Sequence, residues 1–165
     1  MSVDLSDADK ILLVELCNLC SADTQPSEES VRKILNNSSS LRELIRTKSS
    51  YNHDNGEYSS THACSFRGRS KILKVLVEEF QWNVSCLITW NNGADSCSAL
   101  HSSVWSNHVS CAEILLTNGA QPGQVWTEGG QTYTALHYAA YKGNNDMVQL
   151  LLRSGADPTA EGNSR

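Results

Sequence analysis

The sequence predicts an all-α solenoid, a stack of helix-turn-helix units that carry β-hairpin fingers. Three observations support this fold class: a histidine-centred pattern that recurs in register, helix-capping residues ahead of amphipathic segments, and two inserts whose apolar residues follow strand and hairpin patterns. A repeated unit of this size cannot bury its apolar face alone, so it is stable only when neighbouring units stack on it.

Length and composition already exclude several classes of protein. The chain has 165 residues, which suits one compact domain or one short array of repeats. Its net charge of −5 is spread along the chain, without the concentrated basic charge that nucleic-acid binding requires. The longest aliphatic run, residues 11–14, is far shorter than the ~20 residues that span a bilayer, and no basic secretory region is visible. We therefore expect an intracellular protein, cytoplasmic or nuclear, with no nucleic-acid partner and no membrane insertion.

Six cysteines are spread along the chain, and an intracellular setting keeps them reduced. Cys17 and Cys20 form the one close pair, and His53, His62 and Cys64 could add zinc ligands on paper. A second pair of ligands at metal-site spacing is missing, and the two close thiols lie on the apolar face of a predicted helix. We therefore predict no metal and no cofactor, and keep a zinc-bound or redox thiol protein as an alternative that metal analysis can test.

A pattern centred on histidine organises residues 58–165. Its best copy reads Thr-Ala-Leu-His-Tyr-Ala-Ala at residues 134–140 and is followed by Gly-Ala-Asp-Pro at 155–158. A second copy starts with Ser-Ala-Leu-His at 98–101, and a weaker one with Ser-Ser-Thr-His at 59–62. The offsets agree, because an aliphatic trio begins thirteen residues after each histidine.

This pattern resembles the ankyrin repeat, whose signature is Thr-Pro-Leu-His-x-Ala in a unit of about 33 residues. The resemblance covers residues 58–165 and predicts repeats at about 58–90, 96–128 and 132–165, the first, second and third repeats below. The histidines are 39 and 36 residues apart, so the connections carry inserted residues. Small residues replace the signature proline: Ala135, Ala99 and Ser60. The resemblance implies that three histidines are structural and tie each turn to the neighbouring unit by hydrogen bonding: His62, His101 and His137.

Residues 1–57 lack the signature but are expected to form helices. Ser6 can cap a helix to about residue 20, and Ser27 a second over residues 28–36. Ser40 and Glu43 form a capping pattern for a third over 41–46. We interpret this region as a degenerate N-terminal ankyrin capping unit, because a stack needs an end unit with a polar outer face. An unrelated helical extension is the alternative.

The inserts between repeats predict lengthened fingers. Apolar residues alternate over 82–90 ahead of an Asn-Gly turn, which is typical of a strand. Residues 125–134 read as a hairpin around Gly129 and Gly130. Two further glycines, Gly119 and Gly155, stand where a helix must end in a left-handed residue.

The resemblance implies that partners bind the concave face and the fingers, with exposure four and five residues after each histidine. The fourth position is aromatic in every repeat: Phe66, Trp105 and Tyr141. The fifth carries Arg67, Ser106 and Lys142. Aromatic residues and Arg dominate interface hot spots, so we expect these six residues to bind a protein partner. Three finger residues join them in this prediction: Trp90, Trp126 and Tyr133. The alternative is that the rings merely pack on one another or against the fingers.

No catalytic motif is present: no phosphate-loop Gly-x4-Gly-Lys, no Gly-x-Ser-x-Gly and no His-Glu-x-x-His. We therefore expect a non-enzymatic protein-protein interaction module, a scaffold, adaptor or substrate receptor that is monomeric or part of a larger complex. The alternative is the N-terminal regulatory ankyrin part of a larger enzyme, ubiquitin ligase or channel. Residues 155–164 support it, because they run as though another repeat turn were starting.

Overall fold

The computed structural model describes residues 6–21, 27–47, 51–53, 56–58, 60–90 and 93–162, of which residues 7, 9, 10, 13, 17, 21, 44–47, 51–53, 56–58 and 90 are described by their backbone alone. Helices dominate this part of the chain. They are α1 (Asp7–Ser21), α2 (Glu28–Asn36), α3 (Ser39–Thr47), α4 (Ser60–Phe66), α5 (Ser70–Lys74), α6 (Ala99–Trp105), α7 (Val109–Thr117), α8 (Ala135–Tyr141) and α9 (Asn145–Arg153). The strands are β1 (Tyr51–His53), β2 (Gly56–Tyr58), β3 (Leu87–Trp90), β4 (Asp95–Ser98), β5 (Val125–Glu128) and β6 (Gln131–Thr134). None of the helices described is long and apolar enough to cross a membrane.

The helices stack in two layers, as the predicted solenoid requires. Helices α1, α4, α6 and α8 contact one another in sequence and form an inner layer, while α2, α5, α7 and α9 do the same in an outer layer. Each inner helix packs on the outer helix that follows it. Small, fully buried side chains let the inner helices approach closely: Cys64, Ser103 and Ala139. Helices α1 and α2 thus continue the stack ahead of the first repeat.

The prediction of an all-α fold is incomplete, because the structure also contains an antiparallel sheet. Strands β3, β4, β5 and β6 form one antiparallel sheet in that order, in which β3 pairs with β4 from Leu87↔Ser98 to Trp90↔Asp95. Strands β5 and β6 pair from Val125↔Thr134 to Glu128↔Gln131 around a two-glycine turn. The pairing Ser96↔Thr127 joins the two hairpins. This pairing covers part of an edge that each hairpin alone would leave unpaired.

The strand predicted over residues 82–90 is shorter than expected. Side chains at 82, 84 and 86 are buried and those at 83, 85 and 87 are exposed, so the alternation is present. Only Leu87–Trp90 pairs in the sheet. The side chain of Asn83 accepts a hydrogen bond from the Ser85 N–H (2.9 Å), and this local turn takes the preceding residues out of extended strand geometry.

The second helix of the first repeat absorbs one inserted residue. Helix α5 continues directly as a π-helix, Val75–Glu79, and the left-handed residue beyond it is Gln81 (φ 55°). Gln81 lies nineteen residues after His62, whereas Gly119 and Gly155 lie eighteen residues after their histidines. Both glycines are left-handed as predicted, with φ of 94° and 90°. A π turn is the usual way for a helix to accommodate one extra residue.

Helix α2 has the predicted bounds, and its cap Ser27 accepts a hydrogen bond from the Ser30 N–H at 3.1 Å. The predicted cap of the third helix is wrong. The buried Ser38, and not Ser40, accepts from the Leu41 N–H at 2.9 Å, so α3 begins at Ser39. The earlier start places the fully buried Leu41 in the first turn of the helix, where it joins the core.

Candidate partner-binding site

The inner helices of the second and third repeats begin with a capping box in which histidine takes the place of glutamate. In the second repeat Ser98 Oγ accepts from the His101 N–H (3.4 Å), and His101 Nδ1 accepts from the Ser98 N–H (3.2 Å). Thr134 and His137 repeat this arrangement at 3.3 and 3.2 Å. Each pair satisfies two backbone donors that a helix start would leave unpaired. The sequence reasoning missed this role of the histidine within its own unit.

A bond between units occurs in the first repeat. His62 Nε2 lies 3.0 Å from the carbonyl oxygen of Cys97, on the finger of the second repeat, and donates to it. Burial lowers the pKa of His62 to about 4, although the Cys97 carbonyl opposes this. Burial likewise lowers the pKa of His101 to about 4, against the opposing effect of the Gln124 backbone. Both imidazoles are therefore neutral at pH 7.

Three aromatic residues project from the same end of successive inner helices. Phe66, Trp105 and Tyr141 are the last residues of α4, α6 and α8, with exposed fractions of 49%, 45% and 82%. The residues that follow them are Arg67 and Lys142, which are exposed, and Ser106, which is half-buried. The aromatic positions are thus exposed in register, and of the positions that follow them only Ser106 is partly covered. The function of these residues stays a prediction.

Two of these rings belong to a larger set of contacting side chains, which we call the aromatic cluster: Trp105, Trp126, Tyr133, Tyr138 and Tyr141. Trp105 stacks on Tyr138, with ring centroids 5.0 Å apart and an interplanar angle of 12°. The Trp126 centroid lies 5.2 Å from that of Trp105 at 65°, and 5.2 Å from that of Tyr138. Trp126 is only 5% exposed and supports the other rings from the finger.

The outer members complete the cluster. Tyr141 lies 6.2 Å from Tyr138, and Tyr133 lies 6.0 Å from Trp126, measured between ring centroids. Packing of rings against a finger, the alternative raised above, therefore occurs for Trp105, yet nearly half of that side chain stays exposed. Tyr138 was missed from the sequence. The available signal was its place as the variable residue directly after the signature histidine.

The aromatic cluster lines a groove of about 630 Å³ between the inner helices and the β5–β6 finger. Glu128, Thr132, His137 and Gly162 line the rest of it. Lys142 Nζ lies 5.3 Å from the ring centroid of Tyr138 and 5.9 Å from that of Trp105, within the range of a cation–π contact. The site therefore combines ring faces, one carboxylate and a neighbouring ammonium.

The other predicted residues lie outside this groove or outside the described part of the chain. Phe66 is exposed but is not among the residues that line the groove. The backbone of Trp90 ends β3, and its side chain lies outside the described residues.

Two thiols among the described residues, those of Cys97 and Cys111, are poorly suited to nucleophilic chemistry. Five of the cysteines described are free: Cys20, Cys64, Cys86, Cys97 and Cys111. Burial raises the pKa of Cys97 and of Cys111 to about 11, so their reactive thiolate forms are rare at pH 7. Over the same residues, no group of three or more His, Cys, Asp or Glu side chains has the arrangement of a metal site.

Comparison with protein families gives a match over most of the chain. A protein-family model described as ankyrin repeats (3 copies) matches residues 29–128 and 84–162, which together cover more than half of the chain. The match begins within α2, ahead of the first repeat recognised in the sequence. No curated protein sequence matches the chain.

Proposed function

Because the chain belongs to the ankyrin-repeat family, we propose that it is a non-enzymatic module that binds a protein or peptide segment on its concave face and fingers. Ankyrin repeats are generally protein-protein interaction modules. The observation that carries the proposal is the exposure of aromatic rings at the same end of three successive inner helices. A scaffold, an adaptor and a substrate receptor all use such a surface.

The proposed contact surface centres on the aromatic cluster. Trp105 combines a large apolar area with a supported position, because Trp126 and Tyr138 pack against its ring, and Tyr141 adds an exposed ring beside Tyr138. Rigid aromatic residues lose little conformational entropy on binding and are enriched in interface hot spots. We call the three exposed aromatic residues Phe66, Trp105 and Tyr141 the aromatic stripe. Further contacts are proposed for the remaining residues of the stripe, for the residues that follow it and for the fingers: Phe66, Arg67, Ser106, Lys142, Trp90 and Tyr133.

We further propose that residues 1–57 form the N-terminal capping unit of this module. Helix α1 packs on α4 and helix α2 on the π-helix, which are the contacts of a preceding repeat. Arg32 of α2 pairs with Glu79 at the end of the π-helix. The unit would cover apolar surface that an open stack exposes to water.

The test is affinity capture from cell extract with three forms of the protein. One is the wild type, one carries Phe66→Ala/Trp105→Ala/Tyr141→Ala, and the control carries Glu113→Ala/Gln149→Ala on the exposed side of the outer helices. Equal helical circular dichroism must first show that all three are folded. We expect partners that the wild type and the control retain and the triple variant loses. Partners retained equally by all three would contradict the proposed surface.

A second candidate is a regulatory ankyrin part of a larger enzyme, ubiquitin ligase or channel. It is favoured by the turn that follows α9, where the Thr159 N–H donates to Asp157 Oδ1 at 2.8 Å, as at the opening of a further unit. Sequencing the transcript distinguishes the two candidates. Coding sequence for more repeats and an enzyme or channel after Arg165 would support the second, and a stop codon there would remove it.

A further inference from the structure

We propose that the groove lined by the aromatic cluster binds an arginine side chain, presented by an extended segment of the protein partner. This inference rests on the proposed function, since it names the chemistry that the interaction surface recognises.

The ring faces favour a planar cation. Five aromatic side chains line one groove, and two of them, Trp105 and Tyr141, are exposed enough for a ligand to contact. The face of a Trp or Tyr ring carries negative potential, which attracts a cation within about 6 Å of its centroid. A guanidinium stacks flat on such a face and gives up its hydration more easily than an ammonium does. A volume of about 630 Å³ accommodates a long side chain together with part of its backbone.

The charge of the lining has the complementary sign. Glu128, at the end of β5, is the acidic residue among the described residues of the groove wall, and none of these is a lysine or an arginine. A carboxylate can accept two parallel hydrogen bonds from one guanidinium, a geometry that an ammonium cannot match. An uncharged apolar segment would use the rings but would leave this carboxylate without a role.

The position of Lys142 shows that two of these rings attract a cation. Its ammonium lies over Tyr138 and Trp105, at 5.3 and 5.9 Å from their centroids, so these two rings already attract a cation in the free protein. An incoming arginine would compete with Lys142 for the rings and would be repelled by its charge. Removal of Lys142 should therefore strengthen arginine binding, which is the opposite of what the loss of an ordinary contact residue does.

The experiment is a titration of the full chain with two peptides, acetyl-Gly-Gly-Arg-Gly-Gly-amide and the same peptide with citrulline in place of arginine. Citrulline keeps the shape of arginine and removes its charge. The readout is the NMR shift of the Trp105 and Trp126 indole resonances, which report on the groove. We expect saturable shifts with the arginine peptide and an affinity for citrulline at least about fivefold lower, because cation–π and charge-assisted contacts are lost.

Four variants sharpen the test. Lys142→Gln should tighten arginine binding about threefold, and Glu128→Gln should weaken it by a similar factor. Tyr141→Ala should weaken it without loss of folding, because this side chain is 82% exposed. Leu152→Ala is the control: this apolar side chain on α9 is 43% exposed and does not line the groove, so its loss should leave the affinity unchanged.

Two results would overturn the inference: equal shifts with arginine and citrulline, or no saturable shift with either. Equal shifts together with an inert Glu128→Gln would show that the groove does not recognise the positive charge. In one combined outcome, the triple variant loses partner capture while arginine binds no better than citrulline to the wild type. This combination would reject the inference and leave the proposed function intact. Selective binding of the arginine peptide, together with partner capture that the triple variant retains, would contradict the proposed contact surface and leave arginine binding by the groove intact.

Discussion

The N–H of Trp82 donates to the carbonyl oxygen of Leu76 at 3.1 Å, and this bond spans one residue more than its counterpart in the next repeat. There the N–H of Ala120 donates to the Leu115 carbonyl at 2.9 Å. Both carbonyl residues lie fourteen residues after their repeat histidine, so the extra residue falls between the acceptor and the donor. The π turn over Val75–Glu79 absorbs it and keeps the rest of the stack in register.

The left-handed residue beyond the π-helix is a site at which the protein can be stabilised. Gln81 has φ 55°, a conformation that costs a residue with a Cβ about 1–2 kcal/mol and a glycine very little. After the greater entropy loss of glycine is subtracted, Gln81→Gly should raise the free energy of unfolding by roughly 0.5–1 kcal/mol. Urea denaturation measures this as a higher midpoint with an unchanged slope.

Asn107→Gly is the control for that substitution. Asn107 has nearly the same φ, 56°, but asparagine tolerates the left-handed region better than glutamine does. Its replacement should therefore gain less. A lower midpoint for Gln81→Gly, or a larger gain at Asn107, would show that backbone strain is not what Gln81 contributes.

The pair Arg32 and Glu79 connects the N-terminal unit to the first repeat. Arg32 Nε lies 2.9 Å from Glu79 Oε2 and Arg32 Nη2 lies 2.7 Å from Glu79 Oε1, a two-bond arrangement. The hydrogen bonds from Arg32 hold the pKa of Glu79 below its ordinary value. Arg32→Glu should therefore loosen α2, with faster amide hydrogen exchange in that helix. The exchanged pair Arg32→Glu/Glu79→Arg should restore much of the protection.

Lys74→Gln serves as the matched control for the Arg32 variants. Lys74 and Glu78 form an exposed pair at 3.8 Å within one helix, so its loss should leave exchange in α2 unchanged. The interpretation fails if the exchanged pair opens α2 as much as Arg32→Glu alone does.

Two buried histidines should make the fold sensitive to mild acid. The pKa of His62 and of His101 is about 4 in the folded chain against an ordinary value of 6.5, so the unfolded chain takes up more protons between these values. Their contribution to stability is complete above pH 6.5 and is lost as the pH falls to 4. Each histidine accounts for a loss on the order of 3 kcal/mol over that window.

Unfolding by urea at pH 7, 6 and 5 isolates this effect, because carboxylates titrate mainly below pH 5. The stability of the wild type should fall over this range. His62→Gln lowers the overall stability but should remove about half of the pH dependence that the two buried histidines cause. An unchanged slope in that variant would rule out His62 as a source of the acid sensitivity.

Trp126 should contribute to stability through its ring and not through its N–H. It is 5% exposed at the centre of the aromatic cluster, and its Nε1 has no hydrogen-bond partner among the described residues. Trp126→Ala should cost about 3–5 kcal/mol of unfolding free energy, whereas Trp126→Phe should cost only about 1 kcal/mol. Thermal unfolding measures both. Equal losses would indicate that the indole N–H has a partner, and the exposed Tyr141→Ala should be nearly neutral by comparison.

Much of the fold was accessible from short-range signals. The bounds of α2, the left-handed Gly119 and Gly155 and the hairpin around Gly129 and Gly130 were predicted correctly, because capping, helix ends and tight turns depend on a few consecutive residues. The extra residue behind the π turn could also have been predicted, since Gln81 lies one residue further from its histidine than Gly119 and Gly155 do from theirs. The cap at Ser38 was not, because Ser40 and Glu43 form an equally good local pattern.

The order of residues was therefore enough to reveal the histidine register, the repeat family and the exposed aromatic position that ends the inner helix of each of the three repeats. The tertiary structure alone decided that the two fingers share one sheet and that Tyr138 and Trp126 join Trp105 in a groove with Glu128. The reason is physical. Capping and periodicity act between residues close in the chain, whereas the groove depends on how closely stacked units approach and on which side chains then meet.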